Sequence, residues 1–148
     1  MDLREQIKMS GELTIVVRDE KTGIIKETRV VPNLVVTVGK NYIASRMVGT
    51  AAAVMSHMAI GTGVVAPIIG DTALGTQNGI VAVSTFTAST NTVTATATFP
   101  AGTGTGAITE AGIFNAASAG TMLCRTTFSV VNKAAGDSIA ITWVVTVS

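Results

Sequence analysis

Apolar and polar residues alternate with a period of two along most of this chain, and one segment near the N-terminus departs from it. Residues Glu12 to Arg18 read E-L-T-I-V-V-R, Asp19 to Gly23 supply turn chemistry, and Ile24 to Val31 read I-I-K-E-T-R-V-V. That pattern predicts a β-hairpin. Pro32-Asn33 interrupts it and Leu34-Val35-Val36 follows. The period then changes: Val38, Tyr42, Ile43 and Met47 recur at helical spacing while Lys40 and Arg46 are free to face water. One amphipathic helix is expected from Thr37 to Val48, ending near Gly49.

Beyond the helix the short period returns. Ser56 to Ile60 is expected as a short strand closed by Gly61-Thr62-Gly63, and a long loop carries Pro67, Gly70, Asp71 and Gly75, with one helical turn at Thr72 to Leu74. Loops of that length in a compact domain usually serve a function or pack on a neighbour. Strands follow from Ile80 to Phe86 and from Thr92 to Phe99, the second reading T-V-T-A-T-A-T-F with threonine on one face and small apolar groups on the other. Pro100 to Gly106 reads as a flexible turn. Ile108 to Phe114 is a strand whose Gly112 suggests a bulge. Met122 to Val131 and Ser138 to Val147 complete the set, and Trp143 among β-branched residues suits a central strand packed on both faces. Eight to ten short strands and one helix predict a mainly β protein, an antiparallel β-sandwich or jelly roll with one short amphipathic helix.

Length adds that one domain suffices: 148 residues can bury a continuous core without staples. Residues 1–11 read as an N-terminal arm and 12–148 as a single β-sandwich domain. Charge distribution changes the picture more. Of the charged residues only Asp71, Glu110, Arg125, Lys133 and Asp137 lie beyond Met47, and the other fourteen fall within the first 46 positions. A monomer usually covers roughly a quarter to a third of its surface with charge. The Thr, Ser, Ala and Gly offered here instead suit a surface covered by neighbours, so an assembly protein is expected before an enzyme.

The net charge of +1, with basic and acidic residues interleaved, gives no basic patch for nucleic acid. Met1 to Lys8 lacks the apolar run of a signal peptide, and no stretch of about 20 unbroken apolar residues predicts a membrane span. Cys124, the sole cysteine, reads as a small buried hydrophobe. His57 is the sole histidine; Ser56 or Ser45 with Asp71 could complete a triad, but no nucleophile elbow accompanies them. Asp71, Glu110 and Asp137 could form a two-carboxylate site only without the aromatic or basic residues that orient substrates. Neither Gly61-Thr62-Gly63 nor Gly102 to Gly106 matches a phosphate loop, and no calcium-loop pattern occurs. No catalytic residue, metal or cofactor is therefore expected. Polar recognition is expected in the charged N-terminal segment, with Leu3, Arg4, Ile7, Lys8 and Met9 on the arm and Arg18, Lys26 and Arg29 on the hairpin as candidate partner-binding residues.

Several phrases in fixed order add a resemblance: Asn33-Leu34-Val35-Val36; M-A-I-G-T-G at Met58 to Gly63; Asp71-Thr72-Ala73-Leu74-Gly75; Ile108-Thr109-Glu110-Ala111-Gly112-Ile113-Phe114; Gly120 to Phe128; and Gly136-Asp137-Ser138-Ile139. From about Asn33 to Ser148 the chain resembles a module of tailed-bacteriophage virion proteins, found in small capsid cement (decoration) proteins and in tail-fibre or baseplate-associated proteins. A single module without fibre extensions points to the cement branch. The resemblance implies a β-sandwich, made in the bacterial host cytoplasm, that sits on the outer capsid, binds the phage major capsid protein and bridges capsomers, as a homodimer or homotrimer. The alternative it implies is a tail-fibre or baseplate-associated adhesion module.

Overall fold

The computed structural model describes residues 5–50 and 52–148. The chain forms β1 (Met9–Asp19), β2 (Ile25–Val35), helix α1 (Thr37–Met47), β3 (His57–Gly61), β4 (Gln77–Ala82), β5 (Thr85–Ser89), β6 (Thr92–Phe99), β7 (Gly106–Phe114), β8 (Met122–Lys133) and β9 (Asp137–Val147). All neighbours pair antiparallel in the order β4-β3-β7-β8-β2-β1-β9-β6-β5. The sheet curls so that its two halves face each other. The expected mainly β, antiparallel architecture with one helix is what the chain adopts.

Two strands turn the corners. β2 pairs with β1 from Ile25 to Asn33 and then passes to β8, which it meets at Leu34 and Val35. The expected break at Pro32-Asn33 is therefore absent, and the strand runs through Pro32. Proline is tolerated there because, among the described residues, β2 has only β1 as a ladder partner at that point. The second corner splits the expected Ile80 to Phe86 strand. Val83 N–H donates to the Ser56 carbonyl on one half and Ser84 N–H to the Thr96 carbonyl on the other, at 2.9 and 2.7 Å. β4 and β5 thus lie in opposite halves.

Between the halves, alternate residues interlock. Leu13, Ile15 and Val17 of β1, Ala95, Ala97 and Phe99 of β6, and Ile139, Ile141 and Trp143 of β9 meet Met58, Ile60, Ile108 and Ile113 from the other half. The opposite face of β9 is not covered: Thr142 is exposed, so Trp143 belongs to a strand buried on one side, contrary to expectation. Threonines occupy that outer face in register, Thr14 opposite Thr142, Thr142 opposite Thr96, and Thr96 opposite Thr85.

The half made of β3, β7 and β8 is covered on both faces. Its outer side buries Val36, Ala59, Leu74, Phe114 and Met122 beneath α1 and the 62–76 loop. That explains why β7 is buried at every position from Ile108 to Phe114. Gly112 is not a bulge; the irregularities fall between Ile108 and Glu110 and between Ile113 and Phe114. It is small because Leu74 and Phe114 pack over it, each about 3.1 Å from where a Cβ would sit. Helix α1 docks through Gly39, where a Cβ would lie 2.1 Å from the Leu123 carbonyl oxygen. Tyr42 and Ile43 reach the core, but Met47 is 78% exposed, so the apolar stripe is shorter than expected.

Candidate functional site

The most highly organised polar cluster sits under the 62–76 loop. Glu110 of β7 and Arg125 of β8 point to the outer side of their sheet, where most neighbours are apolar, and both are buried. Burying a carboxylate is tolerable only if its lone pairs are satisfied. Glu110 Oε1 accepts the Gly63 and Thr76 N–H groups at 2.9 and 2.7 Å, and Oε2 accepts Gly75 N–H at 2.8 Å. Arg125 adds its Nε and Nη2 to Oε2, at 3.2 and 2.9 Å.

From the same guanidinium, Nη1 donates to Asp71 Oδ2 at 2.8 Å and Nη2 to the Val65 carbonyl at 2.9 Å. Asp71 Oδ2 in turn accepts Ile68 N–H at 2.9 Å, while the Thr109 hydroxyl donates to the Gly63 carbonyl at 2.7 Å. The loop is therefore held at Gly63, Val65, Ile68, Asp71, Gly75 and Thr76. Leu74 is driven into the apolar layer below, and Thr37 N–H at the start of α1 donates to the Ile69 carbonyl at 2.8 Å. No helical turn forms at Thr72 to Leu74.

Burial alone would raise the Glu110 pKa; the N–H donors of Thr76 and Gly75, with Arg125 and Gly63, overcome it and hold the carboxyl below its ordinary value. Asp71 is also lowered, because Ile68 N–H and Arg125 outweigh burial, and Arg125 is raised because Glu110 and Asp71 outweigh burial. All three groups carry charge at neutral pH and spend it on one another. Gly61 and Gly63 have the Glu110 carboxylate 2.5 Å from where a Cβ would stand, so the G-T-G phrase is a seat for a side chain and not a flexible turn.

What this framework presents outward is aliphatic. Val64, Val65, Ile68 and Ile69 are 78, 72, 62 and 60% exposed. Four large aliphatic side chains on one short, fixed segment form an exposed apolar patch of the kind that marks interaction surfaces.

The other expected arrangements do not assemble. Ser56 Oγ and His57 Nδ1 lie 2.8 Å apart, but Asp71 is bound to Arg125 and Ile68 and does not complete a triad. Asp137 is at the other end of the fold, held by Lys26 Nζ at 2.9 Å and by Ala134 N–H at 2.9 Å. Lys26, then Ala134 N–H, keep its carboxyl below the ordinary value. Buried Lys133 reaches the Pro100 and Asp137 carbonyls at 2.9 and 2.7 Å; burial lowers its pKa against the opposing charges of Asp137 and Glu20. Within Pro100 to Gly106, Gly104 is buried against Ile60, while Pro100, Ala101, Gly102 and Thr105 are exposed. Among the described residues no group of His, Cys, Asp and Glu is placed to hold a metal ion.

Of the candidate binding residues, Leu3 and Arg4 lie outside the described residues. Ile7 is 76% exposed. Lys8 already belongs to the sheet margin, exchanging backbone hydrogen bonds with Ser148 at 2.7 and 2.8 Å, and Met9 to Gly11 are part of β1. Arg18 is exposed at the end of β1. Lys26 is committed to Asp137, and Arg29 to Glu27 and to the Ser129 carbonyl of β8. An apolar hollow of about 330 Å³ between Met9, Tyr42, Phe86 and Val145 offers little polar surface to orient a ligand.

Comparison with known proteins adds no neighbour: no protein-family model, curated protein or solved structure matches the chain.

Proposed function

We propose that this chain is a structural assembly protein of a tailed-phage virion, a capsid cement protein that docks on the major capsid protein and bridges capsomers. The observation that carries the docking role is the 62–76 loop, with Val64, Val65, Ile68 and Ile69 exposed above a backbone fixed by buried Glu110, Arg125 and Asp71. A pre-set apolar surface loses little conformational freedom on binding, so more of its burial appears as affinity. Many copies, each touching two capsomers, resist internal pressure because several contacts must fail together.

The virion assignment rests on the resemblance, and four of its phrases meet in this one cluster. Met58 to Gly63 contributes the glycine seat, Asp71 to Gly75 the loop ligands, Ile108 to Phe114 the carboxylate and Gly120 to Phe128 the arginine. Cryo-electron microscopy of purified virions tests the reading. Copies of this fold arrayed over the icosahedral shell are expected; density confined to the tail would move the protein to a fibre or baseplate role and overturn the cement assignment.

A further inference from the structure

β2 has an open side. Among the described residues β8 pairs with it at Leu34 and Val35 only, so from Ile25 to Asn33 its one ladder partner there is β1. The side on which each backbone group lies can be read from two contacts. The Pro32 carbonyl accepts the Thr126 hydroxyl at 2.6 Å, and Val36 N–H donates to the Leu123 carbonyl at 3.3 Å; both point towards β8. Because backbone groups alternate sides along a strand, Thr28 and Val30 turn their N–H and C=O outward as well. The N–H that Pro32 lacks would have faced the same side. Around these groups Ile24, Ile25 and Val30 are 64, 51 and 55% exposed. Such an edge is a template for strand addition.

We propose that this edge pairs with the same edge of a second copy, antiparallel, about a twofold axis at Thr28. Charge selects the register. With the axis at Thr28, Glu27 of each copy lies opposite Arg29 of the other. An axis at Glu27 opposes two glutamates, and one at Arg29 opposes two arginines. An axis at Val30 sets Thr28 against Pro32, which has no N–H to donate. Only the Thr28 axis gives two opposite-charge pairs and keeps the central hydrogen bonds.

In that register the two Thr28 residues exchange a pair of backbone hydrogen bonds. Each Glu27 and Arg29 falls at a non-hydrogen-bonded position, where Cα atoms are about 4.5 Å apart and side chains are closest. The β1–β2 register slips between Val17 and Arg18, with Lys26 as the extra residue of β2, and this bulge ends the pairing. Arg29 is already held by Glu27 and by the Ser129 and Val130 carbonyls of β8, at 2.9 and 3.4 Å, so the partner's Glu27 joins an existing pair. The same patch serves both copies, as a closed twofold dimer requires. The Pro32 end of this edge adjoins Pro67 of the 62–76 loop, but the pairing centred on Thr28 uses none of the loop's exposed aliphatic residues and does not depend on the virion assignment.

Cross-linking tests it directly. In the paired edge a cysteine at position 28 faces its own copy within disulfide reach, about 5.5 Å between Cα atoms. Thr28→Cys is expected to oxidise to a covalent dimer, while Thr142→Cys, exposed on the outer face of β9, stays monomeric under the same conditions. Equal cross-linking of the two variants, or none by Thr28→Cys, would overturn the pairing. Sedimentation gives a second readout on chains without added cysteine. Glu27→Arg is expected to weaken association about tenfold, and Glu27→Arg with Arg29→Glu to restore it. A chain that sediments as a monomer at every concentration, or a double variant no better than the single one, contradicts the proposal.

Discussion

Arg125 Nη2 meets Glu110 Oε2 at 2.9 Å between side chains that are 3 and 0% exposed, on the face of a sheet that is otherwise apolar. Removing one partner leaves the other charge buried, which costs about 3–5 kcal/mol. Glu110→Gln also turns an amide N–H₂ towards donors that now have no acceptor. We expect that loss in chemical denaturation. Asp71→Asn, at a carboxylate 20% exposed, should cost only about 1 kcal/mol. Equal effects of the two variants would show that the loop is not hung on Glu110.

The same cluster sets an acid response. Glu110 and Asp71 are both lowered in the folded chain because backbone N–H donors and Arg125 outweigh burial. On acidification the unfolded chain therefore takes up protons first, and unfolding free energy falls with pH. The stabilisation is complete above the ordinary carboxylate range and is lost as pH falls through the lowered folded values. Stability should be level near neutrality and drop in acid, with a shallower drop in Glu110→Gln. An identical acid limb in wild type and variant would contradict this linkage.

Cys124 is fully buried, and burial raises its thiol well above the ordinary value. Thiolate is the reactive form. A thiol reagent should label the native chain only at the rate of unfolding and label it promptly in denaturant; fast native labelling would mean that β8 opens locally.

Gly39 lies inside α1, where alanine normally gains about 1 kcal/mol over glycine. Here the added Cβ would stand 2.1 Å from the Leu123 carbonyl oxygen, a backbone atom that cannot step aside. Gly39→Ala should therefore destabilise by about 2 kcal/mol, as overpacked sites do. Gly70, with nothing within 4 Å of its Cβ position, supplies the neutral control.

The hairpin and the threonine-faced strand β6 were legible because each carries a clean period along a local stretch; the helix was placed correctly on a weaker stripe, of which Tyr42 and Ile43 reach the core and Met47 does not. Thr94, Thr96 and Thr98 do face outward over buried Ala95, Ala97 and Phe99. The corners were not legible. A strand that changes partners at Val83 and Ser84 keeps its alternation, and the sequence holds no mark of which neighbour it pairs with. Trp143 was misread for a related reason: one buried face suffices for a tryptophan, and Thr142 and Thr146 already signalled the other.

Glu110 and Arg125 were the largest loss. Single charges in a neutral region look like turn residues, and nothing local says that Gly63, Gly75 and Thr76 converge on one carboxylate. A usable signal was present, however. Isolated acid and base in strands buried on both faces must find each other or unfold the sheet. The N-terminal candidates rested on the concentration of charge in the first 46 residues; within the chain Lys26 pairs with Asp137, and Arg29 with Glu27 and the Ser129 carbonyl, pairings that no local pattern marks.

Binding to the shell tests the central claim most directly. Val65→Asp with Ile68→Asp changes exposed side chains above the loop framework, so native stability should stay within about 0.5 kcal/mol of wild type. Purified protein would be mixed with capsids lacking it and sedimented. Wild-type chain should pellet with the shells and the doubly substituted chain should remain in the supernatant, its denaturation midpoint unchanged. Equal pelleting of both would contradict docking through this loop.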